Sequence, residues 1–94
     1  MPVAVVMDFA EGTLEQYDQV IEKMGFRRGG RGAPKGLFHW VAKTDEGIRV
    51  IDVWETKEDF ERFATEKIGP LSQEAGMSGP RMSFHTVHNY LTAG

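Results

Sequence analysis

The chain has 94 residues, a formal charge of −3, no cysteine, 40% hydrophobic residues and 11% aromatic residues. That length makes one domain, residues 1–94, on one modest core. No apolar run reaches the roughly 20 residues of a membrane helix, the lack of cysteine removes disulfides and thiolate chemistry, and the slightly acidic balance argues against nucleic-acid binding.

Residues 2–9 are an apolar, β-branched run containing Val3, Val5, Val6, Met7 and Phe9. They lack the basic lead-in and small-residue cleavage site of a signal peptide, so a cytoplasmic address is expected. Apolar residues at odd and even positions alike predict a strand buried on both faces, central in its sheet. Asp8 interrupts the run, as a polar group of a site or as the strand's exposed end. Thr13 and Gln16 then form a capping box. Leu14, Tyr17, Val20, Ile21 and Met24 follow at helical spacing, with Gly25 as the stop.

Residues 27–36 hold four glycines and a proline and must be a loop. Arg27, Arg28, Arg31 and Lys35 within it fit a solvated connection. The other reading is a grip on a phosphate group or an acidic carrier that presents a substrate. The strand-to-helix context of a phosphate loop is missing.

Leu37–Lys43 and Ile48–Glu55 read as strands joined by the turn Thr44-Asp45-Glu46-Gly47. Thr56 caps a second helix, Asp59 lies in its first turn, and Phe60, Phe63 and Ala64 form its inward stripe. Gly69-Pro70 is expected to end that helix, with a short third helix from Pro70 to Ala75 stopped at Gly76. A turn over 77–80 leads to a last strand from Arg81 to about Tyr90. The order βαββαβ predicts a ferredoxin-like α+β fold, a four-stranded antiparallel sheet with both helices on one side.

If residue 43 faces 48, then 41 faces 50, 39 faces 52 and 37 faces 54. One face of the hairpin then carries Leu37, His39, Val41, Val50, Asp52 and Trp54. The other carries Phe38, Trp40, Ala42, Arg49, Ile51, Val53 and Glu55. Two helices cover only one of these largely apolar faces. A homodimer packed through the Phe38–Trp40 face is therefore expected, the alternative being a cover formed by the last dozen residues.

The same register sets His39 opposite Asp52, with Cβ atoms about 4.5–5.5 Å apart. A carboxylate beside an imidazole fixes its tautomer and makes a base for proton abstraction. A structural hydrogen bond between two half-buried polar residues is the other reading of that pair. Trp54 is expected to wall the site and offer its N–H to a ligand oxygen, with Tyr17, Met24, Phe60 and Phe63 closing an aromatic pocket between sheet and helices. His88 is a further candidate for the pocket or for the dimer seam. His85 and His88, three apart on a strand, point to opposite faces, so no metal site is expected.

The run Gly36-Leu-Phe-His39, the hairpin, and Val50-Ile-Asp-Val-Trp-Glu-Thr56 before a Phe-rich helix resemble the dimeric α+β-barrel superfamily. The nearest likeness is to small antibiotic-biosynthesis-monooxygenase-like proteins. The resemblance implies two facing sheets, a ligand pocket in each subunit lined by Trp54, and chemistry such as cofactor-independent oxygenation, polyketide cyclisation or lactone isomerisation. It departs from the pattern in one place. Many oxygenase-like members, and the haem-degrading ones, carry a His in the helix after the Trp, and Phe60 to Ile68 has none. The expected protein is thus a small enzyme without cofactor or metal, acting through His39 and Asp52 on an aromatic or polyketide-like substrate. The alternative is a non-catalytic ligand-binding or accessory protein on the same fold.

Overall fold

The structure is a computed structural model and describes residues 1–93. The elements are β1 (Val3–Ala10), α1 (Leu14–Lys23), β2 (Gly36–Lys43), β3 (Gly47–Trp54), α2 (Lys57–Phe63), a π-helical segment (Ala64–Ile68), α3 (Gly69–Glu74) and β4 (Arg81–Thr86). The sheet order is β2-β3-β1-β4, antiparallel at every junction. This is the expected ferredoxin-like α+β arrangement. Among the described residues no helix is long and apolar enough to cross a membrane.

β1 is central as expected, but within one chain only its odd face is sealed. Val3, Val5, Met7 and Phe9 are buried, while Ala4, Val6 and Asp8 are half-buried. The odd face meets Val20 of α1, Phe60 of α2 and Met77 in a core completed by Ile48, Val50 and Trp54. Thr13 caps α1 through the full capping box with Gln16.

Gly69-Pro70 does not end the second helix, which runs on through α3 by way of the π-helical segment. Pro70 lacks an N–H, and its ring would strike the carbonyl four residues back in a regular helix. The wider turn before it, with Gly69 N–H donating to Ala64 O, accommodates the ring. β4 stops at Thr86, short of Tyr90, because its partner is exhausted: Thr86 pairs with Val3, and Val87 N–H makes a last bond to Pro2 O. Between Gly36 and Phe38 the β2–β3 ladder shifts, so Gly36 and not Leu37 lies opposite Trp54. Gly47 closes the hairpin where a Cβ would stand 2.1 Å from Phe9 O, so only glycine fits there.

The face away from the helices is built of rungs that cross all four strands: Phe38–Val53–Ala4–His85, Trp40–Ile51–Val6–Ser83 and Ala42–Arg49–Asp8–Arg81. Phe38 and Trp40 are 55% and 41% exposed there. Tyr90 and Leu91, beyond β4, are themselves exposed.

Candidate functional site

Asp52 sits mid-way along β3 on the helix-covered face, with its side chain 7% exposed. A carboxylate at that depth is tolerable only if its oxygens are paired. His39, directly opposite on the edge strand β2, donates Nδ1–H to Asp52 Oδ1 at 2.5 Å. Trp54, two residues further along β3 and on the same face, donates indole Nε1–H to Oδ2 at 3.1 Å. The register therefore does bring His39 and Asp52 together.

The partners assign the tautomer. With the proton on Nδ1, a neutral imidazole keeps Nε2 as an acceptor. The Tyr17 hydroxyl, from the middle of α1, donates to that nitrogen. The two rings lie nearly parallel, 5.7 Å between centroids. Burial first, then the negative charges of Asp52 and Asp18, push the Tyr17 phenol up to about 12. It therefore remains a neutral donor throughout the physiological range. The result is a continuous chain, Tyr17 to His39 to Asp52 to Trp54, running from the rim of the molecule into its core. His39 is 39% exposed at the side chain and Tyr17 is half-buried.

Several side chains stand elsewhere than expected. The Trp54 ring is 4% exposed, packed between Phe60 and Phe63 with centroids at 6.1 Å and 5.1 Å, and its N–H is committed to Asp52. It positions the carboxylate and presents no free wall to a ligand. Phe60, 1% exposed, is core. Phe63 and Met24 are half-buried against that core. The space expected to be an aromatic pocket is filled by these side chains, which close on one another to shield Asp52. The chain instead reaches solvent in the seam between α1 and the edge strand β2. Surface hollows of about 380 and 410 Å3 lie at the α2–β4 end and at the hairpin turn, and neither is lined by Tyr17, His39 or Asp52.

His88 is exposed beyond the end of β4, the edge strand on the opposite side of the sheet from the β2 that carries His39. His85 lies on the open face, its Nε2 at 3.1 Å from Ser83 Oγ. Among the described residues no three or more His, Asp or Glu are grouped to hold a metal. Asp8 is not part of the site. It lies on the open face in a two-point pair with Arg49, at 2.8 and 3.1 Å, and the Arg49 hydrogen bond holds its carboxyl below the usual range. Tyr17 was expected as an aromatic wall. Its role as the hydrogen-bonded end of the chain has no sequence signal, because it depends on where α1 lands on β2.

No family model matches the chain, and no curated protein matches it. Among solved structures, the chain superimposes on a Deinococcus radiodurans protein described provisionally as an antibiotic biosynthesis monooxygenase. The TM-score is 0.56 over 100% of this chain and 99% of that one, at 11% identity. The two proteins share one fold. At this identity the likeness speaks for architecture, and the roles of individual residues rest on the geometry above.

Proposed function

We propose that the protein is a small enzyme that abstracts a proton from an aromatic or enolisable, polyketide-like substrate, using Tyr17, His39 and Asp52 without a cofactor. The observation that carries this reading is the hydrogen-bonded chain that ends in a half-buried hydroxyl at the molecular rim. A substrate O–H or acidic C–H gives its proton to Tyr17 Oη while Tyr17 passes its own to His39 Nε2. The imidazolium so formed is stabilised by the charge of Asp52, and Trp54 keeps that carboxylate aimed. The enolate or phenolate released from its proton then cyclises, isomerises or reacts with O₂. We further propose that two copies pair through the open sheet face. Its exposed Phe38 and Trp40 continue into the half-buried Ile51 and Val6, and an apolar surface of that kind is a liability in a monomer.

The network satisfies all its own members, and this favours a second reading, a binding or accessory protein in which the chain only stabilises a buried carboxylate. Deuterium exchange at the acidic carbon of simple 1,3-dicarbonyl compounds, followed by NMR, separates the two. Catalysis predicts exchange well above buffer, reduced about 10²–10⁴-fold by His39→Gln or Tyr17→Phe in variants with unchanged circular dichroism. Saturable binding with exchange at the buffer rate supports the accessory reading and removes the catalytic one.

A further inference from the structure

We infer that the substrate carries an anionic group, carboxylate or phosphate, which the loop between α1 and β2 holds while the reacting proton lies at Tyr17. The place of that proton rests on the catalytic reading above.

Charge is distributed very unevenly along the chain. Residues 24–43 hold five of the 11 Lys and Arg residues and none of the 14 Asp and Glu residues. The five are Arg27, Arg28, Arg31, Lys35 and Lys43. Everywhere else the chain is strongly acidic. Yet among the described residues Arg27, Arg28 and Arg31 form no ion pair, although Lys23 and Arg49 each find a carboxylate. Lys35 reaches only to 3.9 Å from Asp59 and is 62% exposed. Three guanidinium groups within five residues repel one another, and an anion shared among them removes that repulsion. Guanidinium is also the side chain best shaped to take a carboxylate or phosphate through two parallel N–H donors.

The loop is placed to do this at the site. It joins the two elements that supply the outer pair of the chain. Tyr17 stands six residues before the end of α1, about 9 Å along the helix. His39 stands three residues into β2, about 10 Å along the strand. The end of the loop next to β2 is also anchored, and a local turn orders its arginine-bearing start. Gly30 N–H donates to Arg27 O, Gly36 N–H to Ala33 O and Glu55 N–H to Lys35 O. Ala33 packs against the core, and Gly36 lies against the Trp54 ring. On this inference, an aromatic acid with its reactive hydroxyl or enolisable carbon at Tyr17 directs its anionic end toward the arginines of the loop that joins α1 to β2.

The test compares benzoate and phenyl phosphate with neutral benzyl alcohol by NMR titration, in the wild-type chain and in an Arg27→Gln/Arg28→Gln/Arg31→Gln variant. The inference expects both anions to bind at least ten-fold more tightly than the alcohol at low salt. They should shift amides of 27–35 and the His39 ring together. The variant should lose that preference, with its melting temperature unchanged. Equal binding of anion and alcohol overturns it, as do anion shifts confined to the loop, and as does no binding by any probe. Carbon-acid exchange without charge preference leaves the catalytic reading standing and removes this one. Charge-selective binding at His39 without exchange does the reverse.

Discussion

Replacing Asp52 by Asn changes one atom and one charge in a side chain that is 7% exposed, and its consequence can be worked through the network. In the native chain both carboxylate oxygens accept, from His39 Nδ1–H and from Trp54 Nε1–H. An amide offers one acceptor and one donor. Its oxygen can keep Trp54, but its N–H₂ then faces His39 and must find an acceptor. The imidazole can supply one only by moving its proton from Nδ1 to Nε2. Tyr17, which donates to Nε2 in the native chain, must then turn and accept. The His39 and Tyr17 bonds then run backwards while the Trp54 bond keeps its direction, and the second amide N–H and the Tyr17 O–H are left to find new partners. Two charge-assisted bonds become neutral ones, a loss of about 1–1.5 kcal/mol each, partly offset because a carboxylate no longer has to be buried. The net loss is about 1–3 kcal/mol. With a urea dependence of about 1.5 kcal/mol per molar, the denaturation midpoint falls by about 1–2 M. Base catalysis at His39 disappears altogether, since Nε2 now carries the proton. Long-range proton–nitrogen correlation spectra of the imidazole read the tautomer directly. The Nε2–H form in the wild-type chain, or a retained Nδ1–H form in Asp52→Asn, would refute the reasoning.

Trp54→Phe keeps the aromatic packing but strands Asp52 Oδ2, and should cost about 1–3 kcal/mol in a urea titration. Because burial raises the Tyr17 phenol to about 12, the unfolded chain ionises first. Stability is therefore whole below pH 10 and falls as pH rises toward 12; Tyr17→Phe should abolish both that loss and the phenolate absorbance step near 12. Gly47→Ala sets a methyl 2.1 Å from Phe9 O, so the β1–β3 junction must shift, with a loss of about 2 kcal/mol or more on melting. Sedimentation should show a two-copy particle for the wild-type chain and a single copy for Trp40→Glu; a wild-type monomer at micromolar concentration would end the dimer proposal.

The parts of the molecule that were legible in its residues are those governed by near neighbours. Thr13 and Gln16 cap α1 because the bonding groups are three residues apart. The four-residue turn from Thr44 to Gly47 dictates the hairpin register, so His39 opposite Asp52 follows from alternation alone. Even so, the shift at Gly36 passed unseen, because a ladder irregularity carries no pattern of its own. The Gly69-Pro70 stop failed for a related reason. Proline forbids a regular helix locally, while a π-helical turn one step earlier removes the conflict.

What tertiary structure alone decided is the direction in which the site opens. Tyr17 and His39 are 22 residues apart, and no periodicity relates a helix to the edge strand it leans on. Trp54 and Phe60 read equally well as the walls of a cavity or as its filling, because burial of either kind rewards the same apolar surface. Once α2 brings Phe60 and Phe63 against the indole, Asp52 has only Trp54 and His39 to satisfy it. The polar chain must then leave the core by the edge strand and not through an interior pocket. Short-range chemistry thus settled which groups meet across the hairpin, and the packing of helices on the sheet settled which of them faces the solvent.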